Sequence, residues 1–381
     1  MEEGVEQPLT GFNFSYWFSC VECGRRVEIA ADLYERQTSG TQPADFSRCQ
    51  CGTEVEVTAL DPVLGNPNDV ALPDDDVDGL YWYHTSPYQK WPDTEAYTAH
   101  VRALILRSPA LGGLSAQQLL EQHTSRALHI GTYEATIENM LRRRQDEDRH
   151  DGPPVRYWLH RVRIQLRPGD LTPGVGEELG DWVGVVPLSM LHERDGARAA
   201  RYVNTDEANG SISVAIDPAV IATVSSIEIP IASLGTETPD AAAAAAHART
   251  ALARIAPLRP DTAGVDRMAL RFPETLPSSF PDPAHPERLR IEAMVEQLDS
   301  YNGQHEQIWR ELKATLEAEY LPDINDQVRR RFRGALPHTD DPIAYHHTFR
   351  QMCTLLSRPH EVIGKLALAP IRTINTIDGT N

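Results

Sequence analysis

The sequence predicts an α+β protein made of three successive parts. Four cysteines stand in two close pairs within residues 1–60, short strand-like runs alternate with helical runs over residues 79–233, and the pattern is helical over residues 234–381. Mixed strands and helices in the middle of a chain are typical of the α+β class. The stretch at 61–78 is rich in Asp, Pro and Gly, which is the composition of a linker.

The composition argues against several classes of protein. The chain has 381 residues, which is long enough for two or three domains, and a formal net charge of −19. Such a negative charge disfavours non-specific binding to nucleic acid or to an anionic membrane surface. No stretch reaches the roughly 18 to 20 apolar residues that cross a bilayer, and the acidic N-terminus lacks the pattern of a secretory signal. Five cysteines, four of them clustered, fit a reduced compartment, so we expect a cytoplasmic protein with no membrane partner.

The cysteine pairs have the spacing of a metal site. They read CVECG at 20–24 and CQCG at 49–52, and a glycine follows each pair. Two tight turns can bring four sulfurs to about 2.3 Å from one ion, and glycine permits the left-handed backbone that such turns use. We expect one structural Zn²⁺ and no catalytic metal, because four thiolates leave no open position for water. The ligands would be Cys20, Cys23, Cys49 and Cys51.

This N-terminal region of about forty residues resembles a zinc ribbon, and four unrelated reduced cysteines are the alternative. A module of this size has little core of its own, so the metal would supply most of its stability. We therefore expect chelation to unfold the N-terminal region and to leave chemistry elsewhere in the chain intact.

The middle region carries three candidate residues for chemistry on its strands and turns. The strand-like runs are GLYWYHTS, ALHIGT, VRYWLHRVRIQL, DWVGVVPL and SISVAIDP, and the helical runs are TEAYTAHVRALIL, SAQQLLEQH and TYEATIENMLRRRQDE. His84 ends the first strand, His129 lies in the second, and Glu207 stands in a turn between two strand-like runs. From the residues alone they could be a metal triad, an acid–base set or three unrelated side chains.

Three segments of the middle region resemble the motifs of the ADP-ribosyltransferase fold. YWYHTS is similar to the family's strand ending in His-Gly-Thr or His-Gly-Ser, with the glycine missing. ALHIGTYEATIENM is similar to the family's strand, small residue, Ser or Thr, and helix. RYVNTDEANGSISVAIDP looks like the Tyr-x-Asn-x-x-Glu-x-x-Gly-Ser-x-Ser segment of some phage-associated members. The resemblance covers about residues 79–230 and implies a split β-sheet domain.

The resemblance also implies roles for particular residues. Transfer from NAD breaks the bond between nicotinamide and ribose through an oxocarbenium-like state, which a carboxylate stabilises. By resemblance, Glu207 would act at the ribose, His84 would hydrogen-bond the adenosine-side ribose, and His129 or Tyr133 would pack on the nicotinamide. The catalytic set implied is Glu207, His84 and His129. The implied NAD-binding residues are His84, Thr85, Ser86, Thr132, Tyr133 and Ser213.

The remaining expectations concern the C-terminal helices. We expect Asn302-Gly303 to break the amphipathic run between Pro286 and Tyr320 into two antiparallel helices. Cys353 lies among apolar residues of another helical run, so we expect a buried core thiol.

More than one function stays open at this point. The first is an NAD-dependent ADP-ribosyltransferase that modifies a macromolecule, in a toxin or phage-conflict setting, with an acceptor that the sequence does not name. The alternative is a non-catalytic zinc-ribbon protein, or a module that binds nucleic acid or another partner on a degenerate transferase-like scaffold. A hydrolase or phosphotransferase acting on NAD or RNA ends would need convergent arginines, for which Arg126, Arg161 and Arg163 are the candidates. Glu193 is a second candidate for the carboxylate, and the oligomeric state is not predicted.

Overall fold

The computed structural model has a mixed α+β architecture. It describes residues 4–31, 33–34, 47–55, 63–107, 115–146, 155–177, 186–193, 196–205, 207–263, 265 and 267–375. The strands are β1 (Ser15–Ser19), β2 (Arg26–Ala30), β3 (Ser47–Arg48), β4 (Glu54–Val55), β5 (Trp82–Ser86), β6 (Leu128–Ile130), β7 (Tyr157–Ile164), β8 (Leu171–Gly176), β9 (Ala199–Val203), β10 (Ile212–Ile216), β11 (Ile221–Ile229) and β12 (Ile371–Thr373). The α-helices are α1 (Thr94–Arg107), α2 (Ala116–Thr124), α3 (Tyr133–Asp146), α4 (Leu188–His192), α5 (Pro239–Ile255), α6 (Arg267–Arg271), α7 (Leu276–Ser279), α8 (Pro286–Tyr320), α9 (Asp326–Ala335), α10 (Pro342–Met352), α11 (Thr354–Ser357) and α12 (Pro359–Ala367).

The chain groups into two compact units. Unit 1 comprises Met1–Gly235, Asp323–Leu336 and Gln351–Asn381, and unit 2 comprises Thr236–Pro322 and Pro337–Arg350. Unit 1 therefore takes two segments from the region that the sequence marks as helical. The boundaries at about residues 60, 78 and 233 remain predictions.

Two short antiparallel strand pairs form the N-terminal part of unit 1. Strand β1 pairs with β2, and β3 pairs with β4. Buried and exposed positions alternate along β2, as a half-buried strand requires. The buried side chains of this part form one small cluster: Tyr16, Phe18, Cys20, Val27, Ile29, Ala31 and Cys49.

Two four-stranded sheets lie at the centre of unit 1. One has the order β6-β10-β9-β8, and the other has the order β12-β11-β7-β5. Strand β10 is buried at every position, as its continuous apolar run ISVAI indicates. The edge strands β5 and β6 meet at one antiparallel bridge, where Tyr83 and Gly131 exchange both backbone hydrogen bonds. The sheets are thus joined at the strands that carry His84 and His129.

Helix α3 packs on β5 and anchors the segment that precedes β1. Glu134 in its first turn is buried and accepts hydrogen bonds from the backbone N–H groups of Thr10 and Gly11, at 2.7 and 2.8 Å. One turn later Glu138 is fully buried and pairs with Arg331 of α9 at 2.7 Å. Helix α3 is therefore held from both sides by charged hydrogen bonds.

The described part of the predicted linker packs on the sheets and is not a solvated tether. Ala71 and Val77 are fully buried in the sheet core. Arg201 of β9 donates to the carbonyl oxygen of Ala71 at 2.7 Å and forms an ion pair with Asp74. The acidic run thus satisfies a buried guanidinium, which the composition of the segment alone does not reveal.

Unit 2 is helical, and α8 in it packs against α5. The expected break at Asn302-Gly303 is wrong, because α8 runs without interruption from Pro286 to Tyr320. Gly303 faces open space, and one glycine costs a helix interior only about 1 kcal/mol. Packing of the rest of α8 outweighs that cost.

Three other expectations have different outcomes. Most of the strand expected at DWVGVVPL lies outside the described residues. Cys353 is buried, as expected. Among the described residues, no helix combines the length and the apolar character that crossing a membrane requires.

Candidate functional site

The four N-terminal cysteines converge on one point. Their sulfur atoms all lie within 4.8 Å of one another. Cys20 Sγ is 3.8 Å from Cys51 Sγ, and Cys23 Sγ is 3.6 Å from Cys49 Sγ. A tetrahedral zinc ion with bonds of about 2.3 Å requires sulfur separations of about 3.8 Å. The cluster can therefore hold a metal ion, and its dimensions are compatible with structural zinc.

Tight turns produce this geometry. In the first turn the N–H of Gly24 donates to the carbonyl oxygen of Cys20, and in the second the N–H of Gly52 donates to that of Cys49. Both glycines have positive φ angles, 67° and 91°, which a side chain would strain. Cys20 and Cys49 are buried while Cys23 is exposed, so the site lies at the surface of the small cluster around β1 and β2.

A second candidate site is a pocket of about 70 Å³ at the junction of the two sheets, here called the His84–Glu207 pocket. It brings together side chains from three separate stretches of sequence. Five of the residues expected at an NAD site line it: His84, Thr85, His129, Glu207 and Ser213. The other lining residues are Ile130, Gly131, Ala135, Thr136, Asn139, Tyr202 and Asn204.

His84 lies in the middle of β5, not at its end as the sequence suggests, and it is held there by a hydrogen bond and by stacking. Its Nδ1 lies 2.8 Å from the carbonyl oxygen of His129, which can only accept, so Nδ1 carries the proton. The ring of Trp91 stacks on the imidazole with centroids 4.3 Å apart. Burial lowers the pKa of His84 to about 3, so the ring is neutral at physiological pH and its Nε2 is an acceptor.

His129 on β6 is oriented by a tyrosine from the neighbouring strands. Its Nδ1 lies 2.7 Å from the hydroxyl oxygen of Tyr202 on β9, and the two rings are in edge contact. Strand β10 lies between β6 and β9, so both side chains project from the same sheet. The imidazole and the phenol together form one aromatic wall of the pocket.

Glu207 is largely buried and has two polar partners from helix α3. Its Oε1 accepts hydrogen bonds from Arg142 Nε at 2.8 Å and from Asn139 Nδ2 at 3.1 Å. Glu138 lies one residue before Asn139, and burial raises its pKa to about 7. The Arg331 guanidinium opposes this rise, and the nearby Glu207 carboxylate adds to it. The site therefore places the Glu207 carboxylate in the pocket lining and the Glu138 carboxyl close behind it.

The loop that carries Glu207 is pinned at several points. Asn204 Nδ2 donates to Ser213 Oγ at 2.6 Å, and Ser213 lies on β10 in the pocket wall. A Cβ atom on Gly131 would come within 2.6 Å of that same Ser213 Oγ. Glycine at this position is what leaves room for the hydroxyl.

Three of the expected NAD-binding residues lie outside the pocket lining. The Oγ of Ser86 accepts the backbone N–H of Tyr88 at 3.0 Å. Tyr133 is buried, and its hydroxyl donates to the carbonyl oxygen of Leu355. Thr132 caps α3 by accepting the N–H of Ala135 at 3.2 Å. These side chains support β5 and α3.

The other candidate groups also lie away from the lining. Glu193 is exposed at the end of α4. Arg126, Arg161 and Arg163 do not line the pocket, and Arg161 instead pairs with Glu6. These arginines therefore do not join His84, His129 and Glu207 in the lining of this pocket.

Sequence reasoning missed several residues that define the pocket. Tyr202 and Asn204 line the pocket. They are the Tyr and Asn of the Tyr-x-Asn-x-x-Glu pattern that contains Glu207, and this pattern is the signal that could identify them. Asn139 and Arg142 lie three residues apart on one face of α3, a spacing that predicts a shared partner. Nothing in the sequence says that this partner is Glu207. Comparison of the chain with protein-family models, curated proteins and solved structures gave no match.

Proposed function

We propose that this chain is an NAD-dependent ADP-ribosyltransferase that modifies a macromolecular target through the His84–Glu207 pocket. One observation carries the proposal. The three segments that resemble family motifs each contribute to the lining of one pocket, although they are far apart in sequence. The two four-stranded sheets meeting at β5 and β6 also fit a transferase-like split-sheet domain.

In this reaction the protein acts mainly by positioning the reactants and by stabilising charge. The bond between ribose C1′ and the nicotinamide nitrogen breaks, and its electron pair leaves with nicotinamide as a neutral base. The acceptor's nucleophilic atom forms the new bond to C1′ with its own electron pair and releases a proton. In this proposal Glu207 stabilises the positive charge that develops on the ribose and accepts that proton.

The neighbours of Glu207 keep the carboxylate where the ribose would be. Arg142 and Asn139 fix its Oε1, and a carboxylate held this way loses little freedom in the transition state. The neutral His84 offers an acceptor nitrogen to a ribose hydroxyl. His129, backed by Tyr202, would pack on the nicotinamide, and Tyr133 would not, because it is buried elsewhere.

A non-catalytic binding protein on the same scaffold is the second candidate, and the pocket itself favours it. At about 70 Å³ the pocket is well below the roughly 300 to 1,000 Å³ of typical ligand sites. The ion pair with Arg142 also compensates part of the Glu207 charge, which leaves less of it to stabilise a ribose cation. The pocket would receive only the nicotinamide end of NAD, and the rest would extend along the protein surface.

We propose further that the metal of the four cysteines is zinc in a zinc-ribbon module and that it is structural. Its support is the closed set of four thiolates, which leaves no position for a substrate. A cytoplasmic setting of toxin or phage conflict is also part of the proposal. It rests on the likeness of the Glu207 segment to phage-associated members of the transferase family.

Binding of NAD to the full-length chain, measured by isothermal titration, tests the site. Gly131→Ala should lower the affinity at least tenfold, because the new methyl group displaces Ser213 and fills the pocket. Gly364→Ala is the matched control, since its helix position has open space and lies outside the pocket. If Gly131→Ala leaves the affinity for NAD unchanged, NAD binds at another place on the chain. If the unmodified chain does not bind NAD, the proposed function is wrong.

A further inference from the structure

A larger pocket lies beside the first and also belongs to unit 1. It has a volume of about 220 Å³ and is here called the Trp17–Asp69 pocket. Its walls come from the N-terminal segment and β1, from residues 65–70, and from the loop Ala208–Ser211. Glu207 lines the first pocket and Ala208 the second, and the same holds for Gly131 and Thr132. The two pockets thus share the segments that carry the candidate chemistry.

The Trp17–Asp69 pocket combines aromatic rings with one carboxylate. Phe14 and Trp17 are only partly buried. Phe14 packs against the small cluster around β1 and β2, and the guanidinium carbon of Arg26 lies 5.5 Å from the centre of the Trp17 ring. Asp69 is half-buried, and its carboxylate accepts the backbone N–H of Ala71 at 2.9 Å. Burial raises the pKa of Asp69, and the hydrogen bond from Ala71 opposes that rise. The Trp17 ring thus already accepts a cation on one face, and Asp69 adds a carboxylate to the same lining.

The other polar lining groups are neutral. They are side-chain amides and hydroxyls: Gln7, Thr10, Asn66, Asn68, Asn209 and Ser211. Asn209 is 5% exposed, and its Oδ1 has no hydrogen-bond partner in the described part of the chain. No Lys, Arg or His is among the described residues that line this pocket, so it does not have the groups that a phosphate requires. The neutral groups of the lining can both donate and accept hydrogen bonds, and Asp69 is the one acidic side chain among the described lining residues.

We propose that the Trp17–Asp69 pocket binds a cationic side chain of a polypeptide, a guanidinium or ammonium group, next to the Glu207 loop. Its volume suits a side chain and not a whole cofactor. The net charge of −19 also favours a cationic peptide over a nucleic acid. Its role as the acceptor subsite rests on the proposed transferase function, whereas the binding itself does not.

Peptide binding without NAD tests this inference. The probes are the tripeptide Gly-Arg-Gly and the same tripeptide with citrulline, which has nearly the same shape but no charge. In NMR titrations of the zinc-loaded full chain, the arginine peptide should bind at least tenfold more tightly. Asp69→Asn should remove that preference, because Asn keeps the hydrogen bond from Ala71 and loses only the charge. Asp75→Asn changes the net charge equally at an exposed position outside the pocket, and it should leave binding unchanged.

The outcomes separate this inference from the proposed function. Equal affinity for both peptides, or equal effects of Asp69→Asn and Asp75→Asn, would overturn it. Tight binding of adenosine that Asp69→Asn leaves intact would make the pocket a base site, which also contradicts it. Since no NAD is present, arginine selectivity can stand even if NAD is never cleaved, and a transferase with a different acceptor would show the reverse.

Discussion

At the scale of single residues, burial and pairing decide which groups in the His84–Glu207 pocket carry charge. His84 is neutral because burial disfavours its charged form, and Trp91 covers one face of its ring. Glu207 is positioned by Arg142, which keeps the carboxylate in place and also competes with any cation that approaches it. Glu138 lies behind the pocket as a carboxyl that titrates near neutral pH. Charge in this site is therefore set by neighbours and not by residue type.

The neutral His84 makes the folded protein sensitive to acid. The unfolded chain takes up a proton at this residue below pH 6.5, while the folded state takes it up only near pH 3. Its contribution to the free energy of unfolding is thus complete above pH 6.5 and falls as the pH drops, by up to about 1.4 kcal/mol per pH unit. We expect His84→Gln to lose less stability than the unmodified chain between about pH 7 and pH 5. Urea unfolding at both pH values measures this.

Glu138 changes the free energy of unfolding in the opposite sense as the pH changes. Its folded carboxyl keeps a proton up to about pH 7, so its contribution falls as the pH rises from 4.5 toward 7. This term is present in both proteins and cancels when they are compared. An equal loss of stability in the two proteins would show that His84 is not held neutral by the fold.

The sequence predicts the residues of the site better than their partners. His84, His129 and Glu207 stand in short motifs, and a motif can be read without knowing the fold. Arg142 looks like any solvated helix arginine until α3 is placed beside the Glu207 loop. Tyr133 belongs to the second motif segment, but its side chain is buried, and its hydroxyl donates to the carbonyl oxygen of Leu355 far along the chain. Long-range pairing of this kind leaves no local pattern.

At the scale of elements, the loop between β9 and β10 positions the candidate carboxylate. The N–H of Gly65 donates to the carbonyl oxygen of Gly210 at 2.8 Å, which ties this loop to the segment after the cysteine module. Gly210 has a φ of 89°, a conformation that only glycine adopts without strain. The loop thus depends on a close backbone approach that no side chain would permit.

Two glycine substitutions should shift stability in opposite directions. In Gly210→Ala the new Cβ would lie 2.8 Å from the nitrogen of Gly65, so we expect a loss of more than about 1 kcal/mol. Gly303→Ala adds a methyl group in open space in the middle of α8, and should gain about 1 kcal/mol. Scanning calorimetry of both variants measures the shifts in Tm. A Gly210→Ala variant as stable as the unmodified chain would mean that the loop is not held as described.

Removal of the metal should affect the two pockets differently. Chelation is expected to unfold the strand pairs β1–β2 and β3–β4, since their buried cluster is small and the four thiolates join both pairs. Trp17 lies on β1, so binding of Gly-Arg-Gly should be lost. Release of nicotinamide from NAD with water as the acceptor should persist, because the His84–Glu207 pocket has no residue from this module.

Metal analysis and a cysteine variant test the structural role of the metal. Elemental analysis of the purified chain should find about one zinc per molecule, and Cys49→Ser should reproduce the effect of the chelator. Loss of nicotinamide release while the two central sheets stay folded would give the metal a larger part than a structural one.

At the scale of the whole molecule, the two compact units are not successive stretches of the sequence. Unit 1 begins at the N-terminus and closes with Asp323–Leu336 and Gln351–Asn381 from the far end of the chain. Arg331 in the first of these segments pairs with Glu138, and β12 in the second pairs with β11. Composition and periodicity predict helices and strands because these depend on near neighbours. They do not predict which helix returns to the sheets, because that depends on packing across hundreds of residues.

Release of nicotinamide tests most directly the proposal that the His84–Glu207 pocket cleaves NAD. The purified chain, Glu207→Gln and Glu193→Gln are each incubated with NAD, and free nicotinamide is quantified over time. Gln keeps an acceptor for Arg142 and removes the charge that stabilises the ribose cation, so Glu207→Gln should lose at least a hundredfold in rate. Glu193 is an exposed carboxylate outside the pocket, and Glu193→Gln should match the unmodified chain. Equal rates for all three proteins, or no nicotinamide from any of them, would contradict the account.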